Sequence, residues 1–484
     1  MENKKVLNNF FWRLLERIGA QGVTFVVSIV LARLLDPTIY GTIALVTVFT
    51  TIMQVFVDSG LGNALIQKKD ADDLDFSTVF YFNIVACTVL YAIMFFCAPL
   101  IASFYERPEL TPIVRVLSLT LVISGVKNIQ QAYVSKNMLF KRFFYSTIGG
   151  TIGAAAVGIG MAIAGFGVWA LVAQSLFNSL VGTVILWFTV KWRPKWMFSF
   201  KRLKGLFSFG WKLLVSNLIN TVYNDIRQLI IGKLYTSEDL AFYNKGHQFP
   251  QLVVTNINTS IDSVLFPAMA SAQDERERVK AMTRRAIKTS TYLMMPIMIG
   301  LAVCAEPFIK LLLTEKWLPC VFFMRIFCIT MAFYPIHTAN LNAMKAMGRS
   351  DIFLKLEIIK KGIGITVLLA TMWISVEAMA YSLLFTALIS QIVNAAPNKK
   401  LLGYSYLQQV KDMLPQIALS IGMGAIVYCV TFLPIHEYLM LLIQIPLGAL
   451  IYILGSKLFR LESFSYVLST AKSYLRKKSN KAKE

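Results

Sequence analysis

Charge is scarce in this 484-residue chain: 15% of residues are Asp, Glu, Lys or Arg, whereas 56% are hydrophobic. Mean hydropathy is +0.60. A water-soluble chain of this length would fold as two or three domains with charged surfaces, so the shortage excludes that class and makes lipid the solvent. Histidine is scarcer still, and His247, His337 and His436 lack metal-ligand spacing. They read as satisfied or interfacial imidazoles, and no metal is expected. The six cysteines, Cys87, Cys97, Cys304, Cys320, Cys328 and Cys429, sit mostly inside apolar runs with no CxxC spacing. A disulfide framework and a zinc site are both unsupported. No Walker phosphate loop, dinucleotide-binding glycine pattern or nucleophile elbow occurs in a suitable setting. The expectation is therefore a chain that is not an enzyme, with no cofactor, no catalytic residues and no ATP hydrolysis.

What is abundant is apolar sequence in runs of twenty or more residues. Measured against the ~20 residues a bilayer demands, spans are predicted at about 12–35, 39–60, 77–104, 111–134, 144–165, 167–190 and 206–232, then 239–268, 288–313, 319–344, 354–374, 376–397, 412–432 and 438–456. The predicted fold class is an all-α integral membrane protein of about fourteen transmembrane helices. The basic start MENKKVLNNFFWRLLER leads into a long apolar stretch with no small-residue cleavage site, and reads as an uncleaved first helix.

The formal charge of +22 could suggest nucleic acid, but its distribution points elsewhere. Most of the 48 Lys and Arg residues lie in the N-terminal segment, the even-numbered loops and the C-terminal tail, while the opposite loops hold three: Arg107, Lys233 and Lys316. That asymmetry predicts both termini in the cytoplasm and a bilayer, not nucleic acid, as partner. The basic tail suits anionic headgroups, at ~1 kcal/mol per charge. All outer loops are short. A membrane glycosyltransferase or glycan polymerase working on the outer face would need paired carboxylates on a long outer loop, and none is available.

Trp12-Arg13-Leu14-Leu15 recurs as Trp211-Lys212-Leu213-Leu214 at the start of the seventh span, and the two helices exit through similar turns at Arg33–Pro37 and Lys233–Ser237. Six helices separate the copies, so both enter from the same side, as in a parallel repeat with a site between two lobes. The predicted organisation is a six-helix lobe over 1–198, a second over 199–400, two additional helices over 401–460 and a basic cytoplasmic tail over 461–484.

At 100° per residue, Lys212, Ser216, Asn217, Asn220, Thr221, Asn224, Arg227 and Gln228 share one side of the seventh span, with Val215, Leu218, Ile219, Val222, Ile226 and Leu229 opposite. Arg13, Glu16, Arg17, Gln21, Thr24 and Ser28 form the matching stripe on the first. Lys, Asp and Arg cost roughly 2.5 to 3.5 kcal/mol each near the bilayer centre. Lys212, Asp225 and Arg227 together thus approach ~9 kcal/mol, while thirteen Leu, Ile, Val and Phe residues return about 4 to 8 kcal/mol. The stripe is expected to line protein or water. Asp225 and Arg227, two apart, point in different directions and need separate partners. Helix glue and snorkelling are the competing readings. Arg33, opposite the stripe, reads as a snorkelling anchor. For Lys127, Lys245 and Arg325, cavity lining and snorkelling both stay open. Gly149, Gly150, Gly153, Gly158 and Gly160 on the fifth span read as close-packing or bending chemistry.

With these residues in view, the sequence resembles the polysaccharide flippase branch of the multidrug/oligosaccharidyl-lipid/polysaccharide exporter superfamily, the Wzx-type translocases. The resemblance covers nearly the whole chain. It is carried by Arg33–Gly41, by Asp58–Asp70, and by Asp225, Ile231-Gly232, Tyr243-Asn244 and Leu265-Phe266-Pro267. Asp36 stands where such proteins more often have Gly before the Pro, a departure confined to a turn. The resemblance implies a two-lobed fold in the bacterial cytoplasmic (inner) membrane. It also implies export of undecaprenyl-diphosphate-linked oligosaccharide by alternating access, but assigns no individual site residue.

From the stripe itself, Arg17, Lys212 and Arg227 are candidates to offset the diphosphate charge, with Lys127 and Lys245 as further cavity cations. Gln21, Asn220 and Asn224 would hydrogen-bond sugar or phosphate oxygens. Asp225 is a candidate for ion coupling, since a carboxylate in a low-dielectric site can bind a proton. A glycan polymerase and export machinery are candidate partners beside the lipid-linked oligosaccharide and the phospholipid bilayer. A cation-coupled drug or metabolite antiporter is the first rival, although it would favour acidic, aromatic walls over this basic, amide-rich stripe. A scaffold for glycan assembly is compatible with transport.

Overall fold

The computed structural model describes residues 2–58, 61–469 and 472, without the side chains of residues 2–11, 13, 14 and 209. Arg13 of the first-span stripe, Ser59 and Gly60 of the second motif and most of the basic tail therefore lie outside the described residues. Among the described residues every regular element is helical. A lipid-embedded backbone must satisfy its own N–H and C=O groups, and helices do so within one segment.

The chain packs as two compact units, Met1–Ala241 and Phe242–Glu484. The first holds α1 (Glu2–Leu34), α2 (Pro37–Asp58), α3 (Leu61–Gln67), α4 (Asp73–Phe104), α5 (Leu110–Leu117), α6 (Leu119–Lys136), α7 (Phe140–Ile163), α8 (Val168–Thr189) and α9 (Phe200–Leu234). The unit boundary falls within α10 (Ser237–Ala270). The second unit continues with α11 (Arg276–Val303), α12 (Ala305–Leu313), α13 (Cys320–Met331), α14 (Tyr334–Ala346), α15 (Ser350–Thr371), α16 (Val376–Leu402), α17 (Tyr406–Cys429) and α18 (Glu437–Leu458).

Each of the fourteen predicted segments overlaps helix among the described residues, the fourth, ninth and tenth each in two pieces and the thirteenth ending in a 3-10 turn at Val430–Phe432. Among the described residues eleven helices are long and apolar enough to cross a membrane. The polar α9, α10 and α15 are outside that set, although at 1.5 Å per residue the 35 residues of α9 reach about 50 Å. Length is not what sets them apart; polarity is.

Several helices begin before their apolar runs because capping groups extend them. Asp72 accepts from the N–H of Asp75 at 3.0 Å, and Asp75 accepts in return from the N–H of Asp72 at 3.2 Å, a reciprocal box that starts α4. The backbone bond and Arg202 hold the Asp72 carboxyl below its usual range. Its contribution is thus complete at neutral pH and is lost as pH falls through that lowered value. The Asp75 side chain is fully buried and also takes Lys68 at 2.6 Å and Arg202 at 3.2 Å. Ser199 caps α9 through the N–H of Arg202. The second unit has its own ionic cluster: Asp412 receives Arg284 through two bonds of 2.7 Å and the Tyr404 hydroxyl at 2.8 Å, and Lys288 bridges to Glu462 at 2.7 Å.

The turn between α1 and α2 matches that between α9 and α10: two non-helical residues, 35–36 and 235–236, with Leu35 donating to Leu31 and Tyr235 to Ile231. Gly41 permits the closest approach there, since a Cβ on it would stand 1.8 Å from the Ser237 carbonyl oxygen.

Two stability outcomes follow. Asp75→Ala removes a shared acceptor from two half-exposed cations and is expected to cost about 1.5 to 3 kcal/mol, read as a lower melting temperature of the purified protein. Gly41→Ala is expected to lower it further, whereas Gly22→Ala, with open space around its Cβ, should be neutral or slightly stabilising by helix propensity. Equal melting of the two glycine variants would contradict the close approach.

Candidate functional site

The seventh predicted span, α9, is held at both ends within the first unit. At its start Arg202 grips Asp75 of α4, and the N–H of Ser199, its N-cap, donates to Thr78 at 3.1 Å. At its far end Ile231 is fully buried, and a Cβ on Gly232 would come within 2.1 Å of Leu45 on α2. Between these anchors the helix is largely bare. Lys212, Ser216, Asn217, Asn220 and Asn224 are exposed, and so are Val215, Ile219 and Val222 on the opposite face. Arg227, by contrast, is only 8% exposed. Asp225 accepts a hydrogen bond from Gln228 Nε2 at 3.0 Å, one turn on, so its neighbour along the helix supplies the partner that Arg227 cannot.

On α1, Arg17 and Thr24 are exposed and Gln21 half-buried. Glu16 faces the other way: it accepts from Thr147 on α7 at 3.0 Å, beside the packing of Gly19 on Ile148 and of Trp12 on Phe144. The stripe of the first span is therefore split, with Glu16 in a helix seam and Arg17, Gln21 and Thr24 turned away from it. Lys127 on α6 reaches the seam between α7 and α8. A Cβ on Gly182 would lie 3.0 Å from its Nζ, and the Ser146 hydroxyl closes the seam onto the Gly182 carbonyl at 2.6 Å. Glu16 is the carboxylate that acts on Lys127 electrostatically, a pairing 111 positions apart in sequence.

Arg17, Gln21, Lys127, Lys212, Asn220, Asn224, Asp225 and Arg227 thus all belong to the first unit, and Lys245 belongs to the second. Lys245 is buried, donating to Gln248 at 3.1 Å with its ammonium 5.5 Å from the Trp317 ring. Its environment is a packed cation–π contact where Gly246 lets α10 close on Phe323.

Sequence reading passed over a second polar system. On α10 and α14, Thr338 donates to Asn258 at 2.7 Å and Asn342 to Asp262 at 2.8 Å. Both pairs are spaced i, i+4, and that double spacing was the available signal. Deeper, Asn340 joins Gln409 of α17 and Asn398 of α16 in a buried amide cluster with bonds of 2.7 to 3.1 Å. His337 is bonded to Asn394 at 2.9 Å, a satisfied imidazole. On α15, Lys360 pairs with Glu357 one turn away; this cation too was not singled out. Among the described residues no cluster of His, Cys, Asp and Glu could hold a metal ion.

A double-mutant cycle on Glu16→Gln and Lys127→Met is expected to show a coupling of about 0.5 to 3 kcal/mol in stability. Additive effects would separate the two groups.

A family model described as "Polysaccharide biosynthesis protein" matches residues 30–322. The chain is 29% identical over 310 residues to the teichuronic acid biosynthesis protein TuaB of Bacillus subtilis, covering 63% of each chain. It is 25% identical over 315 residues to the succinoglycan biosynthesis transport protein ExoT of Rhizobium meliloti, covering 65% of this chain and 64% of that one. These matches span a little under two thirds of the relatives' lengths. With the lipopolysaccharide biosynthesis protein WzxC of Escherichia coli the identity is 23% over 443 residues, 87% of this chain and 88% of the relative. Among solved structures, the lipid II flippase MurJ in an inward closed conformation is similar with a TM-score of 0.73 at 15% identity, covering 94% of this chain and 98% of that one. An inward-facing multidrug resistance MATE family transporter gives 0.60 at 14% identity, with 81% and 94% covered. The fold is the multi-helix membrane fold of these proteins, and the chain belongs to the polysaccharide biosynthesis protein family.

Proposed function

We propose that this protein carries an undecaprenyl-diphosphate-linked oligosaccharide from the cytoplasmic to the outer leaflet by alternating access, for capsule, exopolysaccharide or lipopolysaccharide synthesis. The observation that carries the reading is the bare middle of α9. Its apolar face suits acyl chains, but Lys212, Ser216, Asn217, Asn220 and Asn224 are exposed on the same helix and would meet hydrocarbon only at several kcal/mol of cost. A hydrated path beside this rib removes that cost. The names of the relatives, concerned with teichuronic acid, succinoglycan and lipopolysaccharide, agree with a glycan as cargo.

In this reading Arg17, Lys212 and Arg227 offset the diphosphate, Gln21, Asn220 and Asn224 bond sugar or phosphate oxygens, and the prenyl tail stays in lipid. Lys127, and Lys245 against its tryptophan, add positive field more than contact, since charge acts over longer range where water is excluded. Asp225 serves as the coupling carboxylate. Lobes 1–198 and 199–400, marked by the matching turns after α1 and α9, rock against each other, with 401–460 as two added helices. The loop asymmetry supports both termini in the cytoplasm, and a glycan polymerase and export machinery would act after this step, beyond the outer leaflet.

Cells lacking their own transporter and supplied with the Arg17→Ala, Arg227→Ala double variant are expected to lose most surface glycan, about tenfold or more for two lost charge-assisted contacts. Undiminished glycan at normal protein level would remove these residues from the path. Asp225→Asn is expected to change the pH or ion dependence of export, and an unchanged dependence would end its coupling role.

A further inference from the structure

The second unit contains a groove of about 440 Å³, separate from the residues given roles above, between α13 and α16 close to the 314–319 loop. Its walls are of two kinds. Phe322, Ile326 and Ile329 line it from α13 at i, i+4 and i+7, one continuous helix face. Tyr381 of α16 closes it, with its ring 5.2 Å from that of Phe322. Ile329 and Tyr381 are about half exposed while Ile326 between them is buried, so this rail opens outward at Ile329. Glu306 and Arg325 are the charged residues of the lining. Arg325 Nε donates to the Ala302 carbonyl at 3.2 Å, which fixes the guanidinium. Its other N–H groups make no hydrogen bond or ion pair among the described residues.

Depth makes the pattern informative. Arg325 lies five residues into α13 and Ile329 nine, so about 8 Å and 14 Å from the helix start at 1.5 Å per residue. Beyond Arg325 the α13 lining continues as hydrocarbon, Ile326 and Ile329, the polarity profile of a lipid in one leaflet, while Phe322 lies nearer the helix start, about 3 Å in. A soluble ligand would have no use for the exposed apolar rail, and a bare prenyl or acyl chain would have none for the arginine.

The local charges then select the headgroup. Lys310 lies 3.7 Å from both Glu306 and Glu437, so with Arg325 the neighbourhood holds two cations and two carboxylates. A purely anionic headgroup would gain from Arg325 but be repelled by the acids; a headgroup carrying phosphate and ammonium satisfies both signs. We propose that this groove binds a phospholipid with a zwitterionic phosphoethanolamine headgroup. Its phosphate sits on Arg325, its ammonium on Glu306, and an acyl chain runs past Ile326 to the exposed Ile329.

The test uses the full chain reconstituted in vesicles of equal phosphatidylethanolamine and phosphatidylglycerol, followed by native mass spectrometry of the lipids retained. The wild type is expected to retain phosphatidylethanolamine over phosphatidylglycerol by about fivefold or more, and Arg325→Gln to retain about tenfold less of it. Arg325→Lys, which keeps the charge and loses the fork, is expected to fall between them. Glu306→Gln is expected to reverse the preference toward phosphatidylglycerol, an outcome that lost folding cannot mimic. Equal retention of both lipids by the wild type, undiminished retention by Arg325→Gln, or no reversal in Glu306→Gln would each overturn the proposal. Because none of these residues is placed in the substrate path, glycan export can fail or persist independently of the result.

Discussion

Water is absent from the interior of a bilayer, and each polar group placed there must find a partner in the protein or a hydrated space of its own. That constraint explains why the chain is helical throughout its described length and why its ionic clusters gather at the helix ends. It also explains why amides deep in the second unit bond one another. Asp75, enclosed by Lys68, Arg202 and the Asp72 N–H, and Asp412, held by Arg284 and Tyr404, are carboxylates whose surroundings meet the requirement fully. Asn340, Asn398 and Gln409 bond one another without net charge, although the buried Asn398 Oδ1 accepts no hydrogen bond among the described residues.

Against these, α9 stands out. It is anchored by Arg202 at one end and by the close approach of Gly232 to α2 at the other, yet it leaves a rib of lysine, serine and asparagine uncovered between them. The Asp75, Asp412 and Asn340 clusters are closed by bonds between helices, whereas this rib, like Arg17 and Thr24 on α1, is exposed. A rib anchored at both ends and exposed between them has the properties of a binding surface: defined geometry with polar groups facing outward. The transport reading rests on that contrast more than on any single residue.

Hydropathy located the eleven apolar helices among the described residues, because apolar runs of this length have few alternatives, while α9, α10 and α15 are too polar for that signal. It placed helix starts too late at α4, α9 and α11. Polar first turns capped by Asp72 or Ser199 are invisible to an apolar window. The breaks that divide the fourth, ninth and tenth segments, near Ser118, Cys304 and Ala332, leave hydrophobicity unchanged and so left no trace in it. Periodicity draws a stripe of eight polar residues on α9, but the structure exposes Val215, Ile219 and Val222 opposite it as well and buries Arg227 within it. Periodicity could not divide the stripe of α1, where Glu16 turns to Thr147 while Arg17 turns away, because the partner lies 131 residues distant. Lys245 shows the same limit: its tryptophan, 72 positions on, is supplied by tertiary packing.

The account stands or falls on whether water reaches the middle of α9. Single cysteines at Asn217, Asn220 and Asn224, and at Val215, Ile219 and Val222 as the opposite face, in a background without the six native cysteines, can be probed with a membrane-impermeant thiol reagent. Labelling confined to the three asparagine positions, and slowed by a bound lipid-linked sugar, is the predicted result. Equal labelling of both faces, or none on either, would contradict it.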